Sequence, residues 1–422
     1  MRSLEHFLSS AEACEDEMVA TMMGMIRIPA IAPENGGSGE GKKADYLMGR
    51  LEGFDEVRRI DVPDITDPSV MRPNILAKKA GPKRGTVWIV AHMDVVPAAE
   101  LDSWDTPPFE PVLKDGRIYG RGTEDNGQAV VSSIYAARQF LSEDLQGMSL
   151  GVALVADEET TSEMGIAHLL REGCFSEEDV IIVPDWASPK GSRVWVAEKG
   201  LLWLRFDVTG KSVHGSTPHK GINALRVSAR FMTDLVGTLE KEFPEEDPMF
   251  SPPFSTFEPT KASATVDNVN TVPGAHSFCL DIRLLPSADM DRVIDVSKEV
   301  ANRHSEESGA RITVIEIQRN VSGKPSSVSS KGFHALSKAV EEVVGNVPVA
   351  SVTGAATCAN FFRLAGLDAY GWQHGGGTLH GPNEHVVLKN LMTDCKVFTA
   401  LYYDLCLKGR VTRTSGRSSN RC

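Results

Sequence analysis

The stretch Val87-Trp88-Ile89-Val90-Ala91-His92-Met93-Asp94 is five apolar residues followed by a histidine and, two places on, an aspartate. A strand with one wet face alternates apolar and polar side chains. A run that is apolar at every position belongs to a strand covered on both faces, as in a sheet flanked by helices. His92 and Asp94 would leave that strand at its carboxyl end, where open α/β sheets hold their ligands. The pattern recurs: residues 151–156 read as a second apolar strand ending at Asp157-Glu158-Glu159, and 180–183 as a third ending at Pro184-Asp185. Three strand ends that deliver metal-capable side chains to one edge are stronger evidence than any one tripeptide.

Outward from this centre, Met, Val, Ala and Ile at helical spacing predict a helix over 11–28, ended by Pro29 and Pro33. A helix over 41–52 and strands over 57–62, 74–79 and 86–91 follow, with Gly81-Pro82 turning between the last two. A further helix starts near Asn126 and carries Ala129, Val130, Ile134, Ala137 and Phe140. The texture changes around Lys199-Gly200. A strand over 201–208, a Ser/His/Gly-rich loop, a helix over 223–243, a Pro-rich bend over 244–259, strands over 263–269 and 276–284, a helix over 288–304 and a strand over 311–318 give a β-α-β-β-α-β order. The chain returns with a helix over 333–344, a Gly/Ala/Thr-rich segment over 354–357, a strand over 368–372, Gly375-Gly376-Gly377 and a closing helix over 389–407. The expected architecture is an α/β domain, residues 1–200 and 319–409, with a helix-covered mixed sheet. It is interrupted by a smaller α+β domain, 201–318, and followed by a flexible basic tail, 410–422.

Composition bounds the function. With 422 residues, 41% hydrophobic, the chain is long enough for two or three cores. Lys plus Arg 44 against Asp plus Glu 57 gives a net charge of -13, contrary to the clustered cations that a duplex-coating protein needs. Seven cysteines, an odd number with no CxxC, do not make a disulfide framework and point to a reducing compartment. No signal-peptide-like run opens the sequence, and nowhere do 18 apolar residues follow one another. A soluble cytoplasmic protein with neither nucleic-acid nor membrane partners is expected.

His92-Met93-Asp94, Gly120-Arg121-Gly122-Thr123-Glu124-Asp125-Asn126, Glu158-Glu159, Asp185 and Leu379-His380-Gly381-Pro382-Asn383-Glu384 stand in the order found in the M20 metallopeptidase and deacylase family, which the chain closely resembles up to its basic tail. Each motif is loose alone; five in order are specific. The resemblance implies a catalytic domain around two metals, interrupted by a lid and dimerisation domain. It implies two Zn2+ per chain, Mn2+ or Co2+ being other occupants of such N/O sites. His92 and Asp185 would hold one metal, Glu159 and His380 the other, and Asp125 would bridge them. Asp94 would accept the distal imidazole proton of His92 and fix its tautomer. Glu158 would be the general base, taking a proton from the attacking water and delivering it to the leaving amine.

The same resemblance makes His214, in Lys211-Ser212-Val213-His214-Gly215-Ser216, a donor to the oxyanion, contributed across a homodimer through the lid. It makes Arg283 the receptor for a substrate carboxylate, Asn270 a weaker contact, and the segment with Gly354 and Thr357 a source of backbone donors. Cys358 and Asn360 stand where many desuccinylase-like members have Asp and Arg. The expected function is therefore two-metal hydrolysis of an amide in a small peptide, as by a carboxypeptidase or dipeptidase, or in an N-acyl amino acid with a free carboxylate. A succinyl-diaminopimelate desuccinylase or acetylornithine deacetylase is the enzymatic alternative within the family, and a non-catalytic metal- or ligand-binding family member the alternative of another class.

Overall fold

A computed structural model of the chain describes residues 2–263, 266–353 and 357–409. Strand Thr86–His92 is buried at all seven positions, and its side chains divide by parity. Val87, Ile89 and Ala91 enter a core with Phe7, Met18, Leu47, Ile134, Leu336 and Phe398. Trp88 and Val90 enter a second core on the other face with Ile166, Leu169 and Phe362. Period-two geometry thus turns an unbroken apolar run into two helix-covered faces. Each fully buried Leu, Ile or Val there stabilises the fold by about 1.5–3 kcal/mol relative to exposure. Trp88 has room because its cross-strand partner is Gly151, where a Cβ would lie 2.3 Å from the indole.

The sheet runs Glu56–Pro63, Met71–Lys79, Ser149–Val155, Thr86–His92, Val180–Ile182, Ala369–Tyr370. Its last four strands are mutually parallel and its first two pair antiparallel, so the sheet is mixed. Parallel pairing sends the carboxyl ends of Thr86–His92, Ser149–Val155 and Val180–Ile182 to one edge. That edge carries His92, the Asp157-Glu158-Glu159 turn and Asp185.

The chain divides into two compact units. One comprises Met1–Val196, Ser326–Ser351 and the described residues from Thr357 on; the other comprises Ala197–Pro325 with Val352 and Thr353. In the second unit a four-stranded antiparallel sheet runs Thr256–Ala262, Ala275–Leu284, Gly200–Thr209, Arg311–Asn320. Its buried Leu202, Leu204, Phe206 and Val208 pack with Phe231 and Leu235 of helix Ala224–Glu242 and with Val293 and Val300 of helix Met290–Ser308. Among the described residues no helix is long and apolar enough to cross a membrane.

Two local expectations are corrected, and one strand is new. The helix expected over 11–28 is two, Leu4–Glu12 and Glu15–Ile26; the Ala13 N–H bonds to Ser9 and Ala11 carbonyls close the first, and Glu15, Asp16 and Glu17 favour a fresh N-terminus. The strand expected over 263–269, of which 264 and 265 lie outside the described residues, lies earlier, at Thr256–Ala262, beginning within the residues read as a Pro-rich bend. It is an edge strand with an irregularity between Pro259 and Lys261, the setting in which a residue without an N–H is tolerated. Strand Arg193–Glu198 had no counterpart in the sequence reading. The expected tail, 410–422, lies outside the described residues.

Candidate metal centre

His92 is the last residue of its strand and is 3% exposed. Its Nδ1 lies 3.1 Å from the Asp94 carbonyl oxygen, which can only accept, so Nδ1 carries the proton and Nε2 presents a lone pair. That Nε2 stands 2.9 Å from Asp125 Oδ1 and 3.3 Å from Asp185 Oδ1. A lone pair aimed at two carboxylate oxygens is repulsive unless a proton or a cation lies between them. A second set repeats the arrangement: His380 Nε2 is 3.0 Å from Asp125 Oδ2 and 3.1 Å from Glu159 Oε2. The donor atoms of His92, Asp125 and Asp185 lie within 4.8 Å of one another, as do those of Asp125, Glu159 and His380. Two mixed N/O sets with a shared carboxylate fit a pair of divalent cations.

The protonation pattern has the same logic. Burial opposes charge on His92, but the carboxylates of Asp125, Asp185 and Asp94 outweigh it and hold its pKa well above the ordinary imidazole value. Hydrogen bonds to Asp125 and Glu159 raise His380 to about 10. Burial also opposes ionisation of Asp125, yet His380 and His92 hold it below the usual carboxylate range. Burial and the Asp125 charge lift Glu159 to about 7, and burial with the Asp185 charge lifts Glu158 well above a free glutamate. Crowded carboxylates thus favour protons, and a divalent cation competes with those protons for the same oxygens.

Glu158 Oε2 is 4.0 Å from His92 Nε2, and its carboxylate forms no hydrogen bond among the described residues. The Asp94 carboxylate faces His92 and also has a second task. Its Oδ1 is 3.5 Å from His92 Nδ1, while its two oxygens accept the N–H groups of Glu158 at 3.1 Å and Glu159 at 2.9 Å. Asp94 thereby joins the His92 strand end to the adjacent glutamates.

The profile of Peptidase family M20/M25/M40 matches residues 88–404. This chain belongs to the M20 family. An uncharacterized metallohydrolase of Methanocaldococcus jannaschii is 33% identical over 91% of this chain and 98% of its own length. Succinyl-diaminopimelate desuccinylase of Halorhodospira halophila is 26% identical over 79% of this chain and 85% of its own. Among solved structures, aminopeptidase PepT of Bacillus cereus shares the fold with a TM-score of 0.73 at 18% identity, covering 93% of this chain and 98% of that one.

The other expected site residues of this M20 chain have their own surroundings. His214 Nδ1 accepts the Ser216 N–H at 3.1 Å, which leaves the neutral ring's proton on Nε2, ready to donate. Asn270 offers its carbonyl to the Gly215 N–H at 2.6 Å and its side-chain oxygen to Asn268 at 2.6 Å. Arg283, expected to present an open fork, bonds Asp281 through Nε at 2.7 Å and Nη2 at 3.1 Å; two residues apart on a strand, the two side chains share a face. Thr357 caps helix Cys358–Leu364 by accepting the Ala359 N–H. Gly354 lies outside the described residues.

Residues without a role in the sequence reading also shape the site. Arg72 is fully buried and bonds Glu40 at 2.6 and 2.8 Å and Asp64 at 2.7 Å, with Asp157 at 3.4 Å. Asp157, at φ 67°, receives Thr160, Thr161 and the Met164 N–H, which fixes the turn bearing Glu158 and Glu159. Lys43 Nζ donates to the Met93 carbonyl at 2.9 Å. Acidic and basic residues scattered over the chain look like surface; the one available signal is Arg72 beside Pro73 at the head of an apolar strand.

Proposed function

We propose that this M20 protein hydrolyses the amide bond of a small peptide or N-acyl amino acid that carries a free carboxylate, with zinc as the resident metal. The observation that carries the reading is the pair of donor sets sharing Asp125, with the unbonded Glu158 carboxylate beside them. His92 and Asp185 would hold one ion, Glu159 and His380 the other, with Asp125 between. Bound cations supply Lewis acidity, which eases deprotonation of water and offsets charge developing on the carbonyl oxygen.

Glu158 accepts the proton of the attacking water and passes it to the leaving amine; a carboxylate raised by burial is a better proton acceptor than a free one. Asp94, through the Glu158 N–H, keeps that carboxylate beside the cluster. His214 Nε2–H donates to the oxyanion, in a homodimer formed through the second unit. Arg283 receives the substrate carboxylate in exchange for Asp281. Peptidase and desuccinylase names among the relatives support this substrate class, and Cys358 with Asn360 weighs against desuccinylation.

Zinc-loaded protein should cleave at least one class in a panel of dipeptides, C-terminal peptides and N-acyl amino acids. Glu158→Gln should lower turnover by about 10²–10⁴-fold with metal content unchanged. Full metal occupancy without hydrolysis anywhere in the panel would overturn the proposal, and unchanged turnover in the variant would remove the Glu158 role. Equilibrium sedimentation showing only monomer at assay concentration would remove the in-trans part of His214.

A further inference from the structure

Glu384 ends the Leu379-His380-Gly381-Pro382-Asn383-Glu384 segment and is 0% exposed, yet it lies in neither donor set. Its carboxylate takes four donors. Oε2 accepts Arg121 Nη1 at 2.6 Å and the Gly122 N–H at 3.0 Å; Oε1 accepts the N–H groups of Glu124 and Asp125, each at 3.0 Å. Arg121, 2% exposed, completes the link: its Nη2 donates to the His380 carbonyl at 2.9 Å, and its guanidinium stands over the Trp104 ring at 5.3 Å. One buried ion pair therefore fastens the backbone of Asp125 to the backbone of His380.

The other donor set has a separate tie. Asn126 accepts the His92 N–H through Oδ1 at 3.2 Å and donates through Nδ2 to Pro184 O at 2.8 Å and Asp185 Oδ1 at 3.1 Å. His92 ends strand Thr86–His92 and Asp185 lies three residues past its parallel neighbour Val180–Ile182, and neither is among the four donors to Glu384. His380 has no strand beneath it and adopts φ 60°, where a residue with a Cβ needs support from its surroundings.

We propose that Glu384 and Arg121 form a positioning pair that sets the spacing of Asp125 and His380, and so controls affinity for the cation held by Asp125, Glu159 and His380 more than for the one at His92 and Asp185, which share Asp125 but are tied to each other by Asn126. This rests on the two-cation reading above. Neither residue touches the cation or the substrate. Orienting partners of metal ligands typically change affinity by about 10–100-fold when removed. Glutamine at 384 keeps the size of the side chain but turns an NH2 group toward N–H donors that need an acceptor.

The test is Co2+ titration of the metal-free full chain, followed by absorption and calorimetry. Wild type should take two ions. Glu384→Gln should raise one dissociation constant by about 10–100-fold and leave the other within about threefold. Arg121→Lys, which keeps the charge but loses the planar fork, should do the same to a smaller degree. Adding His380→Ala to Glu384→Gln should then remove little further Co2+, because both changes strike the same site. A merely structural role would lower the melting temperature without changing the ratio of the two constants, and that result, or two unchanged constants, overturns the pair's role. If Glu384→Gln does not fold, Arg121→Lys decides by the same ratio. A wild-type chain that binds fewer than two Co2+ overturns the two-cation reading itself, an outcome visible before any variant is made.

Discussion

The two donor sets share Asp125 but are made differently. His92 and Asp185 are buried; His92 ends its strand, Asp185 stands three residues past the neighbouring parallel strand, and Asn126 bonds both. Glu159 lies on a turn, and His380 lies on a loop with its side chain 53% exposed. Donors carried by strands inherit the rigidity of the core; donors carried by loops need tethers, supplied here by Asp94 to the Glu159 N–H and Arg121 to the His380 carbonyl. A site of the same charge type can therefore be robust at one end and adjustable at the other.

The largest expected effect breaks the first set. His92→Ala leaves Asp125 and Asp185 without the imidazole between them, and zinc content by elemental analysis should fall by one ion per chain even at high metal concentration, with turnover lost. His380→Ala should lose its ion at low zinc and regain part of the occupancy as zinc is raised. Equal, unrecoverable loss in both would erase the distinction between strand-held and loop-held donors.

Next in size is the buried cluster under the Glu158 turn. Arg72→Met would leave Glu40, Asp64 and Asp157 facing one another without their cation, and urea unfolding should show about 3–5 kcal/mol of destabilisation. The matched exposed pair, Arg303 with Asp234 at 2.6 Å, should cost about 0–1 kcal/mol when Arg303 becomes Ala. Similar values for the two would mean that burial does not decide what the Arg72 cluster contributes.

A smaller effect separates two buried aspartates by pH. Burial opposes ionisation of Asp64, but Thr66, the Asp67 N–H and Arg72 hold its pKa at about 2; its contribution is present above the unfolded pKa near 3.9 and is lost as pH falls toward 2. Asp394 faces only neutral donors, Gln128 Nε2 at 2.6 Å and the His374 N–H at 3.0 Å, and burial holds its pKa well above the ordinary value. Its contribution is full below about pH 3.9 and is lost as pH rises through the folded pKa. Asp394→Asn should flatten the fall in urea midpoint between pH 4 and 8. An unchanged slope would show that Asp394 is not the group responsible.

Much of this was legible from residue order. The apolar runs before His92, Glu158 and Asp185 announced a covered sheet with its donors at one edge, because side-chain parity and strand direction are local properties. The break at Ala13 was hidden by apolar spacing that continues across it, and Pro259 disguised an edge strand as a bend. Glu384 was visible as a letter in a motif, but nothing in the order of residues says that one carboxylate gathers four donors from a loop some 260 positions away.

By itself, then, the sequence set His92, the Glu158-Glu159 pair and Asp185 at the ends of strands in a helix-covered sheet, since that follows from short-range periodicity, while Asp125 and His380 entered through the resemblance of their motifs to the M20 family. Only the tertiary structure decided what holds them: the Asn126 tie between His92 and Asp185, the Glu384–Arg121 tie between Asp125 and His380, and the Arg72 cluster beneath Glu158. Those ties join residues far apart in the chain, and a hydrogen bond between such residues depends on ångström-scale placement that no local pattern encodes.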